Sequence, residues 1–237
     1  MLPANQQQPG WISASTAEMD VRVRAFMRSV YAWMCGGLML TTVAALWVVM
    51  SPAMQQLIFG TPMMTFGLII AELGIVAFLS FRITKMTAAT AASAFLVYSF
   101  LNGLTLSVIF WAYTQASIVQ AFLTAAAMFG AMSVYGFVTK RDLTAVGSFF
   151  FMGLIGIVIC SVINLFLHSS GLSFVISIIG VFVFLGLTAY DNQKLKAMAT
   201  VTGPMQENVA VIGALRLYLD FINLFLFMLR LFGNRRR

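Results

Sequence analysis

The sequence predicts an all-α polytopic membrane protein of seven transmembrane helices, and three observations lead there. Of its 237 residues 61% are hydrophobic and only 9% are charged, against about 25% charged in an ordinary soluble domain. The apolar residues fall in runs long enough to cross a bilayer, each needing roughly 20 residues, and the chain holds about seven of them with no room for a separate soluble domain. The net charge of +7 sits at the ends of those runs, a pattern that orients helices in a membrane. Nucleic acid is therefore not expected as a partner; the lipid bilayer is.

The polar start, Met1 to Gly10, lacks the basic and apolar regions of a cleaved signal, so the first span is expected to act as the targeting signal. Residues 1–25 read as a disordered cytoplasmic tail, with Arg22, Arg24 and Arg28 near its end, and residues 26–237 as a single transmembrane domain. The first span covers about Ser29 to Met50. Ser51-Pro52 and Thr61-Pro62 bracket an uncharged loop, and the second span runs from about Met63 to Phe81, closed by Arg82 and Lys85.

In the third span, Ala88 to Trp111, Tyr98, Asn102 and Thr105 share one helical face, while Ser99, Gly103 and Ser107 share its neighbour. Close helix packing glued by hydroxyls explains both faces, and a polar lining is the sharper alternative. The fourth span ends near Val138, ahead of Thr139-Lys140-Arg141-Asp142, and Ala126 and Gly130 give it a small-xxx-small face. The fifth, Val146 to Leu167, ends at His168, a lone loop histidine expected to be solvated. The sixth, Leu172 to Tyr190, delivers the chain to Asp191, Lys194 and Lys196, and Met198 to Asn208 reads as a loop with a Gly203-Pro204 break.

Every even-numbered connection carries Lys or Arg and the odd ones carry none, which puts the amino terminus in the cytoplasm. If Leu217 to Phe232 spans, the basic tail Asn234 to Arg237 ends outside, against that rule; a re-entrant segment would return it. The span is the preferred reading. Cys35 and Cys160 lie inside apolar runs without metal-ligand spacing, so buried thiols are expected rather than a disulfide or zinc site.

Two acids stand where charge is expensive. Asp191 follows a long apolar run, and Asp220 lies within Leu217-Tyr218-Leu219-Asp220-Phe221-Ile222-Asn223. Arg216, Asp220 and Asn223, at i, i+4 and i+7, form one polar stripe. If Arg216 snorkels to the boundary, Asp220 sits level with Asp191; if the helix meets the membrane at Val209, it lies about 16 Å in and deeper than Asp191. Two carboxylates brought together in a poorly solvated place share a proton and titrate as a unit. They also offer hard oxygens to Ca²⁺. Arg82 is the candidate latch for one of the acids. Plain ion pairs, Asp191 with Lys194 and Asp220 with Arg216, are the alternative account. Glu72, midway along the second span, reads as a structural hydrogen-bonding acid or an extra ion-binding oxygen.

Phe129-Gly130-Ala131-Met132-Ser133-Val134-Tyr135-Gly136-Phe137-Val138-Thr139-Lys140-Arg141-Asp142-Leu143 resembles the fourth helix of the Bax inhibitor-1 family. Gly186 to Lys196 and Tyr218 to Arg236 resemble its sixth and seventh helices, and the likeness runs from about Arg24 to Arg236, nearest to bacterial inner-membrane members. The resemblance implies six helices enclosing a central C-terminal helix. It implies a pH-sensitive Ca²⁺ leak gated by a di-aspartyl pair on Asp191 and Asp220, with the latch on Arg82 and the acid of the second helix on Glu72.

The leading reading is therefore a pH-gated Ca²⁺ channel or transporter, with protons and Ca²⁺ as its ligands and no permanently bound cofactor. The alternative is a regulator that binds another membrane protein, such as a membrane protease. Tyr190-Asp191 echoes the Tyr-Asp of presenilin-like proteases, but Leu219-Asp220-Phe221 lacks their Gly-x-Gly-Asp, so an enzyme is not expected.

Overall fold

In a computed structural model, residues 10–82, 86–199 and 205–234 are described. Lys85, the Gly203-Pro204 break and the arginines at 235–237 lie outside them. The described residues form helices α1 (Gly10–Met50), α2 (Pro52–Phe59), α3 (Pro62–Arg82), α4 (Ala88–Leu106), α5 (Ile109–Ala112), α6 (Gln115–Val138), α7 (Thr144–Leu167), α8 (Ser170–Met198) and α9 (Met205–Phe232). Seven stretches are long and apolar enough to cross a membrane, with α4 and α5 sharing one of them. The all-α polytopic architecture is thus the one the sequence predicts.

Several boundaries differ, each for a local reason. The tail expected to be disordered to Ala25 is helical from Gly10, because Ala, Glu, Met and Arg favour helix and the turn at 23–30 buries Val23, Phe26, Met27 and Val30. The uncharged loop after the first span contains α2: Ser51 caps it, accepting from the Met54 amide, and Pro52 occupies the first turn, where its missing N–H costs nothing. α8 runs on past Tyr190 to Met198, so Asp191 lies two turns inside the helix rather than beyond its end. Cys35 is exposed on α1, not buried, and Cys160 is partly so.

α9 is the most buried span, 67% of its apolar window, and packs on α1, α4, α6 and α8. α3 and α7 are 6% buried and stand outside that inner group, α3 chiefly on α4 and α7 on α8. Their apolar residues point all round the helix, as suits helices facing lipid. The far end of α9 is tied to the start of α6: the Thr114 amide donates to the Asn234 carbonyl at 3.1 Å and the Asn234 amide to Ser117 Oγ at 2.9 Å. Since α6 starts at the end opposite the α8–α9 connection, α9 crosses the whole bundle and does not turn back.

Two glycines set the closest approaches of one helix backbone to another. A Cβ on Gly136 would lie 2.1 Å from the Ala189 carbonyl oxygen of α8, and one on Gly103 would lie 2.4 Å from that of Thr41 in α1. Backbone meets backbone at both, as small residues allow in membranes. The small face expected at Ala126 and Gly130 makes no such approach: a Cβ on Gly130 would meet nothing, and both residues line a groove against α1.

Candidate functional site

Asp191 and Asp220 share one cavity. It measures about 820 Å³ and lies between α7, α8 and α9, lined among others by Gly147, Tyr190, Lys194, Arg216 and Asn223. The end of α8 is what aims Asp191 there. Gln193 clasps the α6–α7 turn, donating to the Arg141 carbonyl at 2.7 Å and accepting from the Leu143 amide at 2.9 Å. Lys196 donates to the Phe137 carbonyl at the end of α6, at 2.9 Å. With those side chains anchored to α6, Asp191 and Lys194 are left on the cavity side. Tyr190 seats its ring where a Cβ on Gly147 would stand, only 2.4 Å away, which lets α7 close over this end.

The ion pair runs between helices. Arg216 Nη1 lies 3.8 Å from Asp191 Oδ1, the one ion pair among the described residues. Lys194 lines the same cavity but makes no ion pair with Asp191, donating instead to the Tyr190 hydroxyl at 3.3 Å. Neither of the local pairs, Asp191 with Lys194 or Asp220 with Arg216, is formed. Asp220 is 5% exposed, and its Oδ2 is buried without a hydrogen-bond partner. A buried acceptor left unpaired costs about 1–3 kcal/mol, more if charged, which favours a proton or a visiting cation at that oxygen. Asn223 lines the same cavity while its side-chain Nδ2 donates to the Leu219 carbonyl of its own helix at 2.8 Å.

Arg82 does not reach the acids. It is exposed at the end of α3, which packs on α4 and α2, and it is absent from the cavity lining. The guanidinium facing Asp191 is that of Arg216, brought there because α9 packs directly on α8 while α3 does not.

Glu72 belongs to a different polar cluster. Its carboxylate accepts from Asn102 Nδ2 at 3.1 Å and from Thr105 Oγ1, the face of α4 singled out by spacing. The Tyr218 hydroxyl donates to Asn102 Oδ1 at 3.0 Å and stands 2.6 Å from Thr41 Oγ1. One chain of polar groups therefore joins α3, α4, α9 and α1 through the bundle. The neighbouring face behaves as packing: Ser99 is buried and Gly103 abuts α1.

A third cluster gathers around Asn192. Asn192, fully buried beside Asp191, accepts from the Tyr31 hydroxyl and donates to Ser133 Oγ at 3.1 Å and to the Thr188 carbonyl at 2.7 Å. It fixes the register of α8 against α1 and α6. Its partners are distant in sequence, so helical spacing alone gave no signal beyond a polar residue in an apolar helix. Asp142, outside the spans, accepts from the Thr144 amide at 2.9 Å and from its hydroxyl at 2.6 Å, which holds its carboxyl below the usual range.

The fold and this site define a small seven-span membrane protein with an acid pair and a crossing arginine inside one cavity. A family model described as "Inhibitor of apoptosis-promoting Bax1" matches residues 23–237. The chain belongs to this family, the Bax inhibitor-1 family. It is 48% identical over 228 residues to the inner membrane protein YbhL of Escherichia coli, covering 94% of this chain and 97% of that one. It is 45% identical over 221 residues to protein RP147 of Rickettsia prowazekii, covering 92% of each. A membrane protein of Streptococcus pyogenes is 41% identical over 221 residues, 92% of this chain and 96% of its own.

Proposed function

We propose that the protein is a pH-sensitive Ca²⁺ leak pathway of a bacterial inner membrane, with its amino terminus in the cytoplasm and Asp191 and Asp220 as the gate. The observation that carries this reading is the shared cavity, in which Arg216 faces Asp191 and one oxygen of Asp220 stays buried and unpaired. The charged pair attracts Arg216 and holds α8 and α9 together. A proton taken up by the pair weakens that attraction and releases α9. Acid therefore opens and alkali closes. The latch role that the family resemblance puts on Arg82 passes in this arrangement to Arg216. Glu72, held by Asn102 and Thr105, serves the packing of α3.

Ca²⁺ enters as cargo. It takes about 6–8 oxygen ligands when held tightly, whereas the described residues hold no cluster of three or more His, Cys, Asp or Glu. Two carboxylates and the Asn223 carbonyl give a weak, transient site, which suits passage. The test is Ca²⁺ flux in proteoliposomes as a function of pH. Flux that rises on acidification supports the reading. No flux at any pH would replace it by the regulator of another membrane protein.

A further inference from the structure

The polar stripe of α9 does not end at Asn223. Continued at the same spacing, Arg216, Asp220, Asn223, Phe227 and Arg230 lie on one face of the helix, polar except at a single aromatic. That face looks into the cleft between α7 and α8, and the cleft holds two cavities. The first is the acid-pair cavity. The second, about 780 Å³, opens at the other end, lined by Asn164, His168, Ser173, Ser177 and Arg230 among others.

Phe227 stands between them. Its neighbour Asn223 lines the first cavity and Arg230 the second, and on α8 Phe184 lines the first and Ser177 the second. The Phe227 ring packs 5.8 Å from that of Phe184 and lies under the Arg230 guanidinium at 5.6 Å, so it touches one residue from each cavity. Opposite it, α8 has Gly180, where an added Cβ would come within 2.6 Å of the ring. The glycine makes the socket and the phenyl ring fills it. From Val158 to Ser161 on α7 the two linings are about 4.5 Å apart along the helix, so the partition is about one ring thick there.

We infer that the two cavities are halves of one route along the α7–α8–α9 cleft, closed by Phe227 seated on Gly180 and Phe184. This rests on the proposed role as a conduit and adds its path, its second mouth and an apolar closure separate from the acid pair. An apolar constriction between two chambers that each hold charged and polar side chains excludes water and so ions. Arg230, at the second mouth, lies against the ring, so a shift of α9 that frees Arg216 at one end moves the closure as well.

The experiment reads access, not Ca²⁺. In a Cys35→Ser, Cys160→Ser background, Ser177→Cys places a thiol in the second cavity, and a membrane-impermeant cationic methanethiosulfonate is applied to either face of sealed vesicles. His168→Cys serves as the reference for the face on which the second cavity opens. The expected result is labelling of Ser177→Cys from the His168 face alone. Adding Phe227→Ala should raise its labelling from the opposite face by about tenfold or more, whereas Phe227→Leu, which keeps the bulk, should not. Phe227→Val provides a milder truncation if the alanine variant is not recovered folded. Labelling from the opposite face with Phe227 in place, no gain on truncation, or no labelling from either face would each overturn the inference. Access opened by Phe227→Ala without Ca²⁺ flux would support the route and remove Ca²⁺ as cargo. Flux that responds to pH, with access unchanged by Phe227→Ala, would keep the proposed function and remove this closure.

Discussion

Arg216 and Asp191 face each other 3.8 Å apart with side chains 42% and 14% exposed. A partly solvated pair of that kind contributes about 1 kcal/mol, or about fivefold in the balance of two packings. Arg216→Gln should therefore raise Ca²⁺ flux at neutral pH a few-fold and flatten its rise on acidification; unchanged neutral-pH flux would deny Arg216 the latch. Outside the spans, Asp142 is held below the usual carboxylate range by the hydroxyl and amide of Thr144. A lowered folded-state value adds stability above the unfolded value, and that stability is lost as pH falls through the folded one. Thr144→Val should return the Asp142 titration toward the ordinary range, read by carboxyl chemical shifts against pH. At this scale the sequence was informative where spacing on one helix carries the signal. Arg216, Asp220 and Asn223 could be read together, as could Asn102 and Thr105, the residues that hold Glu72. Asn192 and the pairing of Arg216 with Asp191 could not, because their partners come from other helices.

Among the elements, α9 illustrates both the reach and the limit of pattern reading. Its polar stripe was visible, and the preference for a spanning rather than a re-entrant segment agrees with the bond between Asn234 and the start of α6. Its first residues, Met205 to Asn208, fall in the stretch that reads as a loop around the Gly203-Pro204 break, yet they are helical and Asn208 is buried. α2 hides in the uncharged loop because Ser51-Pro52 reads as the end of one helix, while Ser before Pro also begins one. The glycine contacts give a graded test of packing. Gly136→Val and Gly103→Val each force a side chain into a neighbouring backbone, and overpacking costs about 1–3 kcal/mol. Both should lower the midpoint of thermal unfolding in detergent by several degrees, while Gly130→Ala, which meets open space, should leave it unchanged. A loss at Gly130 equal to that at Gly136 would contradict the packing of α6 on α8.

On the scale of the whole molecule, composition and run length were enough to give seven spans, because lipid demands long apolar helices. They did not reveal which spans are inner. α9, α8 and α4 are the most buried spans, and α3 and α7 face outward. That arrangement leaves a cleft between α7, α8 and α9, and it explains why Arg216 rather than Arg82 meets Asp191. Tags at the two termini would show the chain's direction: with α9 spanning, an impermeant label should reach them from opposite faces of the membrane. The central claim is that the carboxylates in this cavity are the pH sensor of an ion path. It is tested most directly by Ca²⁺ flux in proteoliposomes between mildly acidic and mildly alkaline pH, for wild type, Asp191→Asn, Asp220→Asn and the double variant. The account predicts flux that climbs as pH falls in wild type and no longer depends on pH once either acid is neutral, with the double variant no different from the singles. A pH response that survives in the double variant would contradict it.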